Sequence, residues 1–347
     1  MKTQIVSRKN QIRSILFIVI LMVITIVVLL KEYSIHELIE VVKTARPNYL
    51  IMGILLMFLY ITCQAINLNM ILNVLGHPIT FKRSIQYIVV GYYFGAITPC
   101  ASGAQPAQLY YMNKDKIHVD LSAITIFYMA FVSEVVCLLL GAILVTINLP
   151  ILLSLNNWLK YLLLVGALFT LSIVIILSAL MFSQKTVPFL MRSGLKIGVK
   201  WHIIKEAEQK KAKLEAMLLS YREKAKLILK HPDLFFRVFS VTIVQWMFYY
   251  MISYMVYRSF GHNESSGFEL ITGQSIISIA STAVPLPGSV GVAEKAFLLI
   301  FSPYYTLNQL PSAMLLSRII NFYLPLFISF VVYMTVHFRV VNSHKVK

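Results

Sequence analysis

Hydrophobic residues in this chain run in long unbroken stretches rather than in the narrow stripes of a soluble amphipathic helix. Six stretches reach the roughly 17–25 residues that a helix needs to cross a hydrocarbon core: 14–30, 49–72, 121–147, 159–182, 234–257 and 312–338. Two more are as apolar but are interrupted in the middle. Segment 84–112 is broken by Thr98-Pro99-Cys100-Ala101-Ser102-Gly103-Ala104-Gln105-Pro106, and segment 268–301 by Val284-Pro285-Leu286-Pro287-Gly288-Ser289-Val290-Gly291. Each half holds about 12–16 residues, which at 1.5 Å per residue is too short to span. The pattern predicts an all-α integral membrane protein of about six full transmembrane helices and two broken-helix segments.

Lys and Arg then set the orientation. Segment 183–233 carries twelve of them against five acids, which predicts that it is cytoplasmic. Counting spans backward from it puts Lys114 and Lys116 inside, and Lys82 and Arg83 inside as well. The first broken segment therefore enters and leaves on one side, as a re-entrant hairpin from the cytoplasm. Counting forward makes the second broken segment re-entrant from outside and returns the C-terminal Arg339, Lys345 and Lys347 to the cytoplasm. The N-terminal basic cluster (Lys2, Arg8, Lys9, Arg13) precedes 14–30 with no small-residue cleavage site after it, so this stretch reads as a retained first span with a cytoplasmic N-terminus.

The two broken segments sit at matching places. From the start of span 49–72 to Pro99 is 50 residues, and from the start of span 234–257 to Pro285 is 51. One set begins by travelling inward and the other outward. This predicts an inverted-topology repeat, about 49–147 and 234–338, within a single membrane domain covering 1–347. The basic segment 183–233 contains an apolar stripe at helical spacing (Leu214, Leu218, Tyr221, Ala225, Ile228), which predicts an amphipathic helix on the inner leaflet beside anionic lipid.

Irregular backbone at membrane depth is tolerated only where protein or a water-filled cavity satisfies it. The hairpin tips are therefore the first candidates for a ligand site. Thr98, Ser102, Gly103 and Gln105 in one tip, with Gly288, Ser289 and Gly291 in the other, offer backbone amides and side-chain donors at a half-helix N-terminus, where an anion such as a lipid phosphate is favoured. Intramembrane charge is scarce and so informative. Glu294 and Arg318 fall in the same half of the bilayer and are expected to pair, and Gln108 lies opposite Glu294 when Pro99 is aligned with Pro285. Glu134, at the middle of its span, and Glu294 are candidates for proton coupling. Gln64, Asn67 and Asn69 either line a polar path or bond across helices, and the second reading is favoured.

Composition adds exclusions. At 58% hydrophobic and 13% charged, the chain lies outside the range of soluble domains. Its net charge of +17 sits between apolar segments and comes with no recognition motif, so nucleic acid is not an expected partner. Cys63, Cys100 and Cys137 have neither disulfide-framework nor zinc spacing. There is no P-loop, no Gly-x-Ser-x-Gly and no His/Cys metal spacing. No catalytic set, metal or cofactor is expected.

The run Ala96-Ile97-Thr98-Pro99-x-Ala101-x-Gly103-x-Gln105-Pro106-x-Gln108, followed by Pro285-x-Pro287-Gly288-x-x-Gly291-x-x-Glu294 and by Arg318 with Tyr323-x-Pro325, resembles the lysylphosphatidylglycerol synthase transmembrane region. That is the flippase-like membrane domain of bacterial multiple-peptide-resistance proteins and of stand-alone relatives. The resemblance spans roughly 10–340, and it departs from the family pattern at Ala104, where relatives often carry a second glycine. It implies a bacterial cytoplasmic membrane protein that moves an anionic or aminoacylated phospholipid, such as lysyl-phosphatidylglycerol, between leaflets. The chain ends at Lys347, which implies a membrane domain without the soluble synthase domain of longer relatives. Two other readings stay open: a phosphatidylglycerol lysyltransferase or its membrane subunit, and a non-transporting scaffold for a partner synthase. The expected partners are membrane phospholipids, with a homo-oligomer or a separate synthase left open.

Overall fold

The computed structural model describes residues 42–182 and 207–343, with side chains for 42–181 and 218–337. The expected span 14–30, residues 183–206 of the basic segment and the extreme C-terminus lie outside the described residues. Within them every regular element is helical. Five helices are long and apolar enough to cross a membrane: α1 (Pro47–Val74), α4 (Val119–Ile147), α6 (Asn157–Phe182), α8 (Pro232–Ser259), and a last span, Gln309–His337, made of α11 (Gln309–Arg318), a π-helical turn (Ile319–Tyr323) and α12 (Leu324–Ser343). Each matches an expected span to within two or three residues at either end. This is a multi-pass helical membrane protein.

The two broken segments are hairpins. The first is α2 (Phe81–Ala96), a 3-10 turn (Pro99–Ala101) and α3 (Ala104–Lys114); the second is α9 (Gly267–Thr282), a 3-10 turn (Pro287–Ser289) and α10 (Val292–Phe301), and a short α5 (Leu149–Ser154) links α4 to α6. Their halves fold back on each other. Gly91 on α2 leaves the space that the Gln108 side chain of α3 fills. On α9, a Cβ at Gly273 would lie 2.8 Å from Phe301 and 2.9 Å from Ile300 of α10. The two turns also pack directly against each other, with Cys100 Sγ 3.7 Å from Val284 O.

The leading helices α1 and α8 repeat the same punctuation. Each opens with proline in its first turn, where the missing N–H costs nothing, and each is followed by a glycine in the left-handed region (Gly76, φ 76°; Gly261, φ 86°). They pack antiparallel. Arg46 N–H, at the start of α1, donates to Ser259 O at the end of α8 (2.7 Å), while Asn67 Nδ2 reaches Thr242 Oγ1 (3.0 Å) near the opposite ends. α1 and α8 thus run in opposite directions.

The register between the halves differs from the sequence alignment by two residues. Cys100 (φ 49°) and Ala101 (φ 53°) occupy the left-handed region, as do Gly288 (φ 60°) and Ser289 (φ 50°). The backbone therefore matches Pro99 with Pro287, not Pro285, and Gln108 falls opposite Ala296 instead of Glu294. Left-handed backbone is strained at Cys100 and relaxed at Gly288. Cys100→Gly is accordingly expected to raise stability by about 0.5–1 kcal/mol, seen as a higher thermal midpoint in detergent. An unchanged or lower midpoint would show that the Cys100 contact to Val284 outweighs the strain.

A second correction concerns α7 (Ala207–Leu229). Leu218, Tyr221, Ala225 and Ile228 of its stripe are buried against the bundle, chiefly on α4, so these residues do not face the inner leaflet. Lys224 Nζ and Ser220 Oγ both bond the Asp120 carboxylate at the foot of α4 and hold the helix there. α7 keeps Leu219 and Leu229 exposed, and the spans carry more exposed apolar surface: Tyr161, Leu164, Leu168 and Ile175 of α6 are exposed, as a lipid-facing helix needs.

Candidate functional site

The last span is interrupted where it meets the second hairpin. Pro325 has no N–H to give the Asn321 carbonyl one turn back, and Tyr92 OH of α2 donates to that carbonyl instead (2.8 Å). The π turn that accommodates this follows directly after Arg318. Arg318 Nε donates to Glu294 Oε1 (2.7 Å) and its Nη2 to Gly288 O (2.9 Å), while the guanidinium lies 4.6 Å from the centre of the Phe322 ring. The expected Glu294–Arg318 pair is present, both partners are less than a tenth exposed, and it ties the tip of the second hairpin to the last span. Gly288 permits this twice over. Its φ of 60° suits glycine, and any Cβ there would overlap the Phe322 ring.

Two tip amides expected to face a ligand are already taken. Gly103 N–H donates to Thr98 Oγ1 (2.8 Å), whose own proton goes to Phe94 O (2.7 Å). Gly291 N–H donates to Glu294 Oε2 (2.6 Å). Thr98, Gly103, Gly291 and Glu294 thus close the two tips and support the site from behind. Ser102 is exposed at its tip and lies off the cavity described next.

Between the hairpins, α1, α4, α6, α8 and the last span line an open cavity of about 460 Å³. Gln105, Gln108, Gly288, Ser289, Arg318 and Glu134 line it, so six of the expected site residues converge on one space. Gln105, Gln108 and Glu134 make no hydrogen bond or ion pair with any described residue. Arg318 Nη1 is likewise left over once Nε and Nη2 are committed.

The cavity also includes residues for which the sequence favoured bonds between helices over a polar path. Gln64 and Asn67 line it, from the same face of α1 as Tyr60, rather than serving only to join helices; Asn69 instead bonds Ile79 O (2.8 Å) outside it. Tyr60, Trp246 and Tyr249 form a mutually packed aromatic triangle on the wall, with ring centres 5.3–6.1 Å apart. The four- and three-residue spacing of Tyr60, Gln64 and Asn67 was the available signal for this face. Chemically, the cavity joins one fixed cation, one unpaired carboxylate and several amide groups without protein partners. It is equipped to hold a polar group inside an apolar bundle. No group of three or more metal-ligating side chains occurs among the described residues.

The model of the family described as lysylphosphatidylglycerol synthase TM region matches residues 12–329. A UPF0104 membrane protein of Archaeoglobus fulgidus is 23% identical over 333 residues, which cover 94% of this chain and 98% of that protein.

Proposed function

Because the chain belongs to the lysylphosphatidylglycerol synthase TM region family, we propose that it is a lipid translocase, which carries a phospholipid headgroup between leaflets through the cavity between its hairpins. The observation that supports this most directly is the polar cavity of about 460 Å³ at the meeting point of both tips, in a bundle whose outer surface is apolar. A headgroup crossing hydrocarbon needs its charge met within the protein, because each unsatisfied polar group there costs several kcal/mol. Arg318 supplies that charge for a phosphate. Glu294 holds its Nε and the Gly288 carbonyl its Nη2, so the guanidinium keeps one orientation while Nη1 remains for the ligand.

In this reading the basic segment faces the cytoplasm, the membrane is the bacterial cytoplasmic one, and lysyl-phosphatidylglycerol is the first lipid to try, since the family is named for its synthase. The test uses the full chain in vesicles carrying headgroup-labelled lipid and an impermeant quencher. Loss of inner-leaflet label should be at least tenfold faster than in protein-free vesicles for one or more lipids. No acceleration with anionic, zwitterionic or aminoacylated lipid would overturn translocation and favour the scaffold. New aminoacyl-lipid in a host lacking any synthase would favour the lysyltransferase.

A further inference from the structure

We propose that Glu134 is a proton-binding site, and that an anionic phospholipid crosses the bilayer together with one proton carried on that carboxylate. The inference rests on the reading of the cavity as a headgroup path and names the ion that drives it.

Among the described residues, two charged side chains line the cavity, Arg318 and Glu134. Arg318 is balanced from behind. Its Nε donates to Glu294 Oε1 (2.7 Å), and Glu294 Oε2 accepts from Gly291 N–H (2.6 Å). Both oxygens of Glu294 therefore have N–H donors, and a proton arriving there would have to displace one of them. Of the two acids expected to take a proton, Glu294 is thus committed to the hairpin tip.

Glu134 has no such commitment. It lines the cavity from the middle of α4 without a hydrogen bond or ion pair to any described residue. The titratable groups that share its surroundings are phenols and thiols: Tyr60 of α1, Tyr92 of α2, Tyr249 and Tyr250 of α8, Cys137 one turn along α4, and Cys100 at the first tip. None of them can carry a positive charge. The stretches of α3, α6 and α9 that line the cavity hold no titratable side chain, and Lys224 of α7 is taken up by Asp120 at the foot of α4. A carboxylate within a membrane bundle needs a counter-charge or a proton. With Arg318 balanced by Glu294, water is the remaining source, and what it supplies is a proton.

Charge balance then decides what accompanies the lipid. Because Arg318 and Glu294 cancel, an ionised Glu134 leaves the empty cavity with a single negative charge, and an incoming phosphate adds a second. Like charges confined to about 460 Å³ within hydrocarbon repel strongly, and a proton on one of them removes the conflict. Loading therefore takes a proton from water at one face onto Glu134, and release of the headgroup in the other leaflet returns that proton to water at the other face. One lipid anion and one proton cross, with no net charge moved.

The test uses the full chain in phosphatidylcholine vesicles with a trace of phosphatidylglycerol, whose outer-leaflet share is read by oxidising its glycerol with impermeant periodate. An interior one pH unit more acid than the outside should drive the outer-to-inner ratio of phosphatidylglycerol toward about ten, beyond the value in protein-free vesicles, because that gradient is a tenfold ratio of proton activity. A potassium diffusion potential without a pH difference should leave the ratio at one. Movement of the lipid with a ratio that ignores the pH gradient, or one that follows the potential or a sodium gradient instead, overturns proton coupling and leaves translocation standing. No movement of phosphatidylglycerol overturns the anionic cargo, and no movement of any lipid overturns the translocase reading itself. Glu134→Gln should abolish the gradient-driven ratio and Glu134→Asp should restore it; a ratio undiminished in Glu134→Gln places the proton elsewhere. Where the glutamine variant does not fold, dicyclohexylcarbodiimide, an apolar reagent that adds to protonated carboxyls, decides the assignment on the unaltered chain. It should label Glu134 and abolish the gradient response, whereas labelling at Glu294 in its place overturns the assignment.

Discussion

Vesicles containing Arg318→Ala protein should move labelled lipid no faster than protein-free vesicles. Two effects combine in that outcome. The substitution removes the fixed cation of the cavity, and it also strands Glu294, whose carboxylate loses its partner at 2.7 Å. Removing one member of a buried ion pair typically costs about 3–5 kcal/mol, so lost transport alone would not separate chemistry from collapse. The double variant Glu294→Gln, Arg318→Met does. The amide oxygen of the new glutamine can still accept from Gly291 N–H, and the methionine fills apolar space against Phe322. Most of the lost stability should therefore return, since buried pairs replaced by packed neutral groups are often near neutral. Transport should not return. A double variant that is stable and moves lipid at the unaltered rate would reduce Arg318 to a structural tie.

How far the sequence disclosed this site depends on what each feature requires. The long spans are legible because an apolar run of that length states its requirement locally. The hairpins are legible for a related reason: paired Pro/Gly interruptions leave halves too short to cross, and charge demands that both ends lie on one side. The register between the repeats is a different matter. Pro285 and Pro287 both stand in the second tip, and the choice between them lies in the left-handed backbone at Cys100 and Ala101, residue types that do not announce it.

Packing across long sequence separations hides the rest. A polar residue on an apolar helix meets either a neighbouring helix or a cavity, and for Asn67 it meets both, through Thr242 and an orphaned Oδ1. The α7 stripe shows the same limit, since helical periodicity defines an apolar face without saying whether lipid or protein covers it. Glycine in the tips suggested free amides, whereas Thr98 and Glu294 hold those of Gly103 and Gly291. Of these two arrangements the second was readable, because an acid three residues beyond a helix-start glycine is a capping arrangement. The Glu294–Arg318 pair was legible because intramembrane charges are few enough to be matched by depth.

Gly166→Val should be the most damaging single substitution outside the cavity. Gly166 faces the last turn of α9, where a Cβ would overlap Ile279 O and lie 2.8 Å from Ile279 C and 2.9 Å from Ala280 Cα. All three are backbone atoms, so no rotamer change makes room and α6 must move away from the hairpin. The small-residue contact exists because helices in lipid associate by close packing and polar bonds rather than by excluding water. Both are present here: Thr170 and Thr282 share a hydrogen bond (3.0 Å), and Thr282 Oγ1 also reaches Gly166 O (3.3 Å). Overpacking alone costs about 1–3 kcal/mol, and the loss of the threonine bonds adds about 0.5–1.5 kcal/mol each. Gly53→Ala is the matched control, because its new methyl meets the flexible end of Ile320 at 3.3 Å and the side chain can give way. Thermal unfolding in detergent should therefore show a large drop for Gly166→Val and little change for Gly53→Ala. Since α9 leads directly into the turn that carries Gly288, headgroup binding should fall with the first and persist in the second. Equal midpoints for the two variants would mean that the α6–α9 contact gives way without cost, and that the second hairpin is held in place by its other contacts, the Glu294–Arg318 tie among them.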